Sequence, residues 1–461
     1  MNKTVFNEKL IGKYDATGPR YTSYPTAANF HSEFLVNRYV NSVRKSNEDL
    51  VPQGLSLYVH IPFCDTVCYY CACNKIVTKD KSKAVDYLRY LQREIVLKGE
   101  MFDKDREVLQ LHFGGGTPTF LTDVQISDLV GGIAESFALI NDATRDYSIE
   151  VDPRTVSAER ITALRSAGFN RLSFGVQDFH LQTQQAVNRI QPLQRVQELA
   201  QAAREAGYKS ISMDLIYGLP FQTQATFERT IDEILGLRPD RLSIFNYAHL
   251  PERFKPQRRI DEKDLPPAQE KLAIYQNTIR QLADAGYVFI GMDHFSLPQD
   301  ELALAQERGQ LHRNFQGYTT HTDCNLVSFG TSAISYMDDC YTQNHYTLDD
   351  YYRDLDAGNL PIAKGLCLTP DDQLRRYIIM ELLCHFVLDI ERLEKKFEIE
   401  FNAYFRSELH RLKEMQKDGL LELSSNTLAI TPKGRLLARV VCMVFDRYLA
   451  EQPRKNFSKV I

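Results

Sequence analysis

A chain of 461 residues is longer than one ordinary hydrophobic core accommodates, so one large domain with a smaller companion is expected. A hydrophobic fraction of 43%, a charged fraction of 25% and a net charge of -5 match a globular protein and give no reason to expect nucleic acid as the main partner. The opening MNKTVFNEKLIGKY has no apolar run, and no stretch nears the roughly 20 apolar residues that cross a bilayer, so neither a secretory signal nor a membrane span is expected and the cytoplasm is the expected location.

In chain order, residues 1–50 read as an arm. Gly18-Pro19-Arg20-Tyr21-Thr22-Ser23-Tyr24-Pro25-Thr26 is rich in Tyr and Pro and has no helical period, which suits an ordered segment laid over something else. From residue 51 to about 365, short β-branched or aromatic runs alternate with helical patterns. The predicted strands are SLYVHI (56–61), VLQLHF (108–113), YSIEV (147–151), RLSFGV (171–176), ISMDLIY (211–217) and RLSIFNY (241–247). Between them Val85, Leu88, Leu91 and Ile95 keep a helical spacing, and beyond the last strand Leu272, Tyr275, Ile279 and Leu282 do the same.

Three joints repeat one device: Ala167-Gly168-Phe169, Ala206-Gly207-Tyr208 and Ala285-Gly286-Tyr287 each lead into an apolar run, with Gly supplying the left-handed residue past a helix end. A fourth joint, Leu237-Arg238-Pro239-Asp240, uses Pro as the stop. Six β/α units predict a parallel barrel, or part of one, with its site at the carboxyl ends of the strands; a flat doubly wound sheet is the competing architecture. Residues 366–461 change to helices, followed by a hairpin-like LLELSSNTLAITPKG and a last helix, a winged-helix-like arrangement without a basic stripe, so a packing or lid role is expected of it.

The nine cysteines divide into a cluster, Cys64, Cys68, Cys71 and Cys73, and a scattered set, Cys324, Cys340, Cys367, Cys384 and Cys442, expected as buried thiols. Cys64-Asp-Thr-Val-Cys68-Tyr-Tyr-Cys71 directly follows the first strand, and three thiolates at spacings of four and three can wrap one compact iron–sulfur cluster with one iron left open. A four-cysteine zinc knot is the competing reading, but no second, distant pair is present to complete it. The second strand runs into Gly114-Gly115-Gly116-Thr117-Pro118, where backbone N–H groups can meet a carboxylate or phosphate. Glu150, Gln177, Asp214 and Asn246 sit at or beside other strand ends.

These motifs resemble radical SAM (S-adenosylmethionine) enzymes: Cys-x3-Cys-x2-Cys, with Tyr58 on the strand before it and GGGTP on the next. GPRYTSYPTA, YVHIPFC, CNKIVT, LHFGGGTPT, SIEVDPR, GVQDF, DLIYGLP, SIFNYAHLP, GMDHF and NFQGYTT, in order, are similar to the oxygen-independent coproporphyrinogen III oxidase family. The resemblance implies a partial (β/α) barrel and a 4Fe–4S cluster held by Cys64, Cys68 and Cys71, with Cys73 not a ligand. It implies SAM in two sites, Tyr58, Gly115, Glu150 and Ile334 at the first, and Tyr70, Gly116, Thr117, Gln177, Arg189, Asp214 and Ala248 at the second; Tyr70 stands where Phe is common. Two propionates of coproporphyrinogen III would become vinyl groups, giving protoporphyrinogen IX. Tyr58, Arg20 and Tyr21 are the candidate catalytic residues, with Arg20 and Tyr21 of the arm expected to fold over the opening and close it, and Arg20, Arg253 and Arg313 are candidates to meet substrate carboxylates. A flavodoxin-like or similar electron donor, an electron acceptor and a monomeric state complete the expectation. The alternative is a haem chaperone of the same superfamily, whose relatives typically lack the arm and the fourth cysteine.

Overall fold

The computed structural model describes residues 4–321, 324–450, 457 and 459. Its contacts gather the chain into two units: a larger one of Phe30–Lys271 and Asp323–Cys367, and a smaller one of Met1–Asn29, Leu272–Thr322 and Leu368–Ile461.

The larger unit is built on a sheet whose first six strands are β1 (Leu55–Ile61), β2 (Glu107–Gly115), β3 (Asp146–Val151), β4 (Arg171–Gln177), β5 (Ser210–Tyr217) and β6 (Arg241–Asn246). Each pairs in parallel with the next, so the order runs β1 to β6 in one direction with no reversal. A doubly wound sheet reverses its order at a switch point; this singly wound order is that of a (β/α) barrel segment. On the other side of β1 lies β7 (Asn325–Phe329), also parallel, followed by an antiparallel meander of β8 (Ile334–Met337), β9 (Cys340–Asn344) and β10 (Ile362–Cys367). The strands' alternate side chains are fully buried, as Leu55, Leu57, Val59 and Ile61 illustrate, and Tyr87, Leu91 and Ile95 of the helix Ser82–Gly99 are buried as well.

The predicted joints act as expected. Gly168 and Gly207 have φ of 111° and 74°, and the following aromatic N–H groups return to the helices, Phe169 to the Leu164 carbonyl and Tyr208 to that of Ala203. At the fourth joint Arg238 itself takes the left-handed conformation (φ 49°) before Pro239.

The linear division at residues 50 and 365 is redrawn by the contacts. Helix Val36–Asn47 belongs with the sheet: Ser42 Oγ donates to Asp339 Oδ1 at 3.0 Å, and Arg106 Nη1 donates to Asn47 Oδ1 at 2.8 Å. The arm proper, up to Asn29, belongs with the C-terminal segment. Tyr21 donates its hydroxyl to Asp446 Oδ2 at 2.9 Å, and Arg439 Nη2 donates to the Gly18 carbonyl at 2.7 Å. Residues 272–322 join the same unit; there Val288–Gly291 turns back into His294–Ser296 as an antiparallel hairpin. A three-stranded sheet of Val387–Asp389, Thr427–Ile430 and Leu421–Leu423 with helices Pro370–Cys384, Ile390–Phe397 and Arg406–Lys417 gives the winged-helix-like part.

One cysteine expectation is corrected. Cys340 and Cys367 face each other in the β9–β10 register, with Cα atoms 4.2 Å apart, and form a disulfide. Antiparallel pairing brings together two thiols that lie 27 residues apart in sequence. Cys384 and Cys442 are buried free thiols as expected, and Cys324 is half-buried. No helix among the described residues is long and apolar enough to cross a membrane.

Candidate iron–sulfur and cofactor site

The cysteine loop leaves the end of β1 and is secured by its own backbone. Ile76 N–H donates to the Pro62 carbonyl and Thr78 N–H to that of Cys64, which closes the loop at its base. Cys64, Cys68, Cys71 and Cys73 are all free thiols; the first two are buried, Cys71 is half-buried and Cys73 exposed. Their surroundings supply donors to sulfur. Thr117 Oγ1 lies 3.4 Å from Cys64 Sγ, while Arg154 Nη2 and Arg189 Nη1 lie 3.4 and 3.5 Å from Cys68 Sγ. Burial pushes the Cys64 thiol up to about 11, whereas a hydrogen bond from Cys73, reinforced by the nearby Lys75 ammonium, holds Cys71 below the usual thiol range.

These residues fit an iron–sulfur cluster. Soft thiolates in a single loop, two of them lined by hydroxyl and guanidinium donors, are the donor set such a cluster takes, and hydrogen bonds to sulfur are a principal means of tuning it. Among the described residues no three His, Cys, Asp or Glu side chains converge on one metal-ion position.

Beyond the loop, β1 to β6 carry a ladder of polar side chains across the middle of the sheet. Tyr58 and His112 are register partners, with rings stacked at 5.8 Å, and His112 Nδ1 shares a 2.6 Å hydrogen bond with Ser148 Oγ. Glu150 is register partner of Ser173, whose hydroxyl donates to Asp214 Oδ2 at 3.0 Å; Ser243, opposite Asp214 on β6, bonds the same carboxylate. Burial nonetheless pushes Asp214 up to about 6. Asn246 Oδ1, at the end of β6, is buried without a hydrogen-bond partner among the described residues.

The glycine loop has room for backbone only. Gly115 sits at φ 114°, and a Cβ there would lie 2.6 Å from the His60 ring; one on Gly114 would lie 2.9 Å from Glu150 Oε1, and one on Gly116 2.7 Å from the Pro62 carbonyl oxygen. The Gly115 N–H donates to Glu150 Oε2 at 3.2 Å, so the carboxylate is pinned to the loop. Gln177 is held at φ 69°, and its amide and the Arg189 guanidinium both crowd Gly175. Arg189 Nη1 donates to Asp152 Oδ2 at 3.1 Å, while its Nε is buried without a partner among the described residues, a donor set aside inside the site. Ile334 opens β8, and its carbonyl accepts from Ser328, the register partner of Tyr58.

Thus Tyr58, Gly115, Gly116, Thr117, Glu150, Gln177, Arg189, Asp214 and the three cysteines all lie on β1 to β5 or in the connections that follow these strands, within one unit. Arg253 is exposed, lying over the Phe254 ring. Arg20, Tyr21 and Arg313 lie in the smaller unit, where Tyr21 is 1% exposed and engaged with Asp446.

Several residues that matter carry little or no signal in the sequence. Gln257 is 1% exposed and its Nε2 donates to the carbonyls of Tyr70 at 3.0 Å and Ala248 at 3.2 Å, tying the cysteine loop to the loop after β6. Asp152 pairs with both Arg154 and Arg189; burial opposes its ionisation, but the two guanidiniums outweigh that and keep the carboxyl below its usual range. Glu94, fully buried, pairs with Lys98 at 2.7 Å and accepts from the Gly330 N–H, which supports the turn leading to Ile334. Of these, Asp152 and Arg154 lie within the motif SIEVDPR; Gln257 and Glu94 lie in none.

A singly wound parallel sheet with a three-cysteine loop after its first strand defines a radical SAM enzyme. Residues 58–234 match the Radical SAM superfamily and residues 368–437 the HemN C-terminal domain. Oxygen-independent coproporphyrinogen III oxidase of Pseudomonas aeruginosa is 51% identical over 98% of both chains, and that of Escherichia coli 49% identical over 98% of both. The solved structure of coproporphyrinogen III oxidase (HemN) from Escherichia coli, a radical SAM enzyme, superposes with a TM-score of 0.92 at 46% identity, covering 97% of this chain and 100% of that one. The chain belongs to the oxygen-independent coproporphyrinogen III oxidase family.

Proposed function

We infer that the protein converts two propionate side chains of coproporphyrinogen III to vinyl groups without oxygen, giving protoporphyrinogen IX. Each conversion removes a hydrogen atom from the propionate β-carbon, one electron and carbon dioxide. When bound, a 4Fe–4S cluster and SAM supply the electron and the 5′-deoxyadenosyl radical that takes this hydrogen. An external donor of flavodoxin-like type and a separate acceptor carry the electrons in and out.

The chain's own part is to bind, orient and shield. Cys64, Cys68 and Cys71 hold the cluster, with Cys73 outside the ligand set. Glu150, pinned by the Gly115 N–H, accepts from a SAM amine at the first site beside Tyr58 and Ile334. At the second, Arg189 offers a carboxylate its buried Nε, and Asp214, Gln177 and the backbone of Gly116, Thr117, Tyr70 and Ala248 complete the enclosure. The observation that carries this reading is the conjunction of free thiols lined by cationic and hydroxyl donors with a glycine cradle one strand away.

The test is anaerobic. Reconstituted protein is supplied with SAM, a reductant, a cell extract as acceptor and coproporphyrinogen III, and the products are oxidised and separated with fluorescence detection. Protoporphyrin formed in step with 5′-deoxyadenosine is the expected result. SAM cleavage with the porphyrinogen untouched and haem bound tightly would replace the oxidase reading with the chaperone one.

A further inference from the structure

Within the smaller unit, Arg20, Arg313 and Asp293, from distant parts of the chain, gather around the buried Arg439. Arg20 comes from the arm, Arg313 from the short antiparallel pair His312–Asn314 and Gly317–Thr319, and Arg439 from the helix Ala438–Val444. Arg20 Nη1 pairs with Asp293 Oδ2 at 2.8 Å. Arg439, 4% exposed, is anchored to the same arm through the Gly18 carbonyl. Burial, together with the charges of Arg20 and Arg313, pushes the Arg439 guanidinium down to about 10 against the pull of Asp293, so the group feels both other cations. Arg313 is 5% exposed and stands 4.7 Å from the Tyr318 ring centre. A ring face attracts the cation but takes none of its in-plane N–H bonds, and Nε and Nη1 of Arg313 are buried with no hydrogen-bond partner among the described residues.

Asp293 bonds Arg20 and acts on Arg439, and Asp446 is occupied by the Tyr21 hydroxyl and shifted upward by burial, while Arg313 keeps two buried donors unmet among the described residues. A buried guanidinium with idle fork donors is costly to hold unless an anion arrives to meet it. Its planar fork matches a carboxylate in two-point contact.

We propose that Arg313 and Arg439, with Arg20 and its gatekeeping partner Asp293, form a carboxylate-binding site in the smaller unit that takes a propionate of the porphyrinogen. The identity of the propionate rests on the function inferred above; the carboxylate site itself does not. Asp293 competes for the same cations, so it sets how tightly the incoming carboxylate is held.

Two probes and two variants of opposite expected sign test this on the full-length, cluster-reconstituted protein. Sodium propionate is the first probe, read by thermal shift. Coproporphyrin III, the stable oxidised tetracarboxylate, is the second, read by fluorescence titration, with SAM titrated alongside because its own carboxylate is the other possible source. Arg313→Met is expected to abolish the propionate-dependent shift and to weaken coproporphyrin III about tenfold to hundredfold, with SAM binding unmoved. Asp293→Asn is expected to tighten both probes several-fold, a gain that a merely structural role would not produce. Arg313→Lys, which keeps the charge and loses the fork, covers the case in which Arg313→Met does not fold, and is expected to fall between. Unchanged coproporphyrin III affinity in a folded Arg313 variant, or weaker binding in Asp293→Asn, overturns the proposal, as does a loss confined to SAM. Wild-type protein that gives the propionate shift yet binds no coproporphyrin III overturns the substrate reading and the propionate assignment while leaving the carboxylate site standing.

Discussion

Arg154 Nη2 lies 3.4 Å from Cys68 Sγ and 2.7 Å from Asp152 Oδ2, so one guanidinium nitrogen spans a candidate cluster ligand and a buried carboxylate. A cation at that sulfur stabilises added negative charge, and the reduced cluster carries one more than the oxidised. Arg154→Gln is therefore expected to lower the cluster's reduction potential by on the order of 50 mV, where about 59 mV is a tenfold change for one electron. An EPR-monitored redox titration reads this directly; an unchanged potential would assign Arg154 to holding Asp152 alone.

The four cysteines of the loop are expected to separate cleanly. Cys64→Ser, Cys68→Ser and Cys71→Ser each abolish the cluster's visible absorbance and its bound iron and sulfide after anaerobic reconstitution. Cys73→Ser keeps both, since Cys73 is exposed and serves Cys71 as a hydrogen-bonding neighbour. Loss of iron in Cys73→Ser would move it into the ligand set.

Gly115→Ala combines a forbidden φ of 114° with a methyl group 2.6 Å from the His60 ring. The backbone conformation alone costs about 1–3 kcal/mol, and His60 is itself held between the Tyr58 hydroxyl at 3.1 Å and the Asn74 carbonyl at 3.0 Å. Thermal unfolding is expected to show the loss, and SAM titration a weakened first site because Glu150 is pinned by the Gly115 N–H.

Asp214 gives a pH signature. Burial holds its carboxyl protonated up to about 6 in the folded chain, against an ordinary value near 4. Ionising it therefore costs folding free energy as pH rises through that window, and none below it. In SAM-free protein, Asp214→Asn is expected to gain about 1–2 kcal/mol over wild type at pH 7–8 and to lose that advantage near pH 4, while SAM binding weakens. Denaturant melts at the two pH values check the sign; an equal effect at both would remove the titration from the account.

Much of the fold and half of the site are legible in the sequence because local chemistry encodes them. The six strands show their own β-branched and aromatic runs, the joints show the glycine that ends a helix, and the cysteine and glycine loops lie within short stretches of chain. Each of these signals is contained in about ten neighbouring residues, which is the range over which periodicity and backbone preference act. The strand order resolves an ambiguity that periodicity leaves open, because a singly wound and a doubly wound sheet use the same alternating segments.

The remainder depends on partners that are remote in sequence. Arg154 reaches Cys68 across 86 residues, Gln257 reaches Tyr70 across 187, and Arg439 reaches Gly18 across 421. Nothing in the neighbourhood of any of these residues announces its partner, since hydrogen bonds and buried charges are satisfied in space and carry no pattern along the chain. The same holds for the Cys340–Cys367 pairing and for the union of residues 272–322 with the arm and the C-terminal helices. The sequence alone determined which residues are candidates to hold a cluster and meet SAM; only tertiary packing decided which cations stand against the Cys68 sulfur and that Arg313 is buried with donors unmet among the described residues.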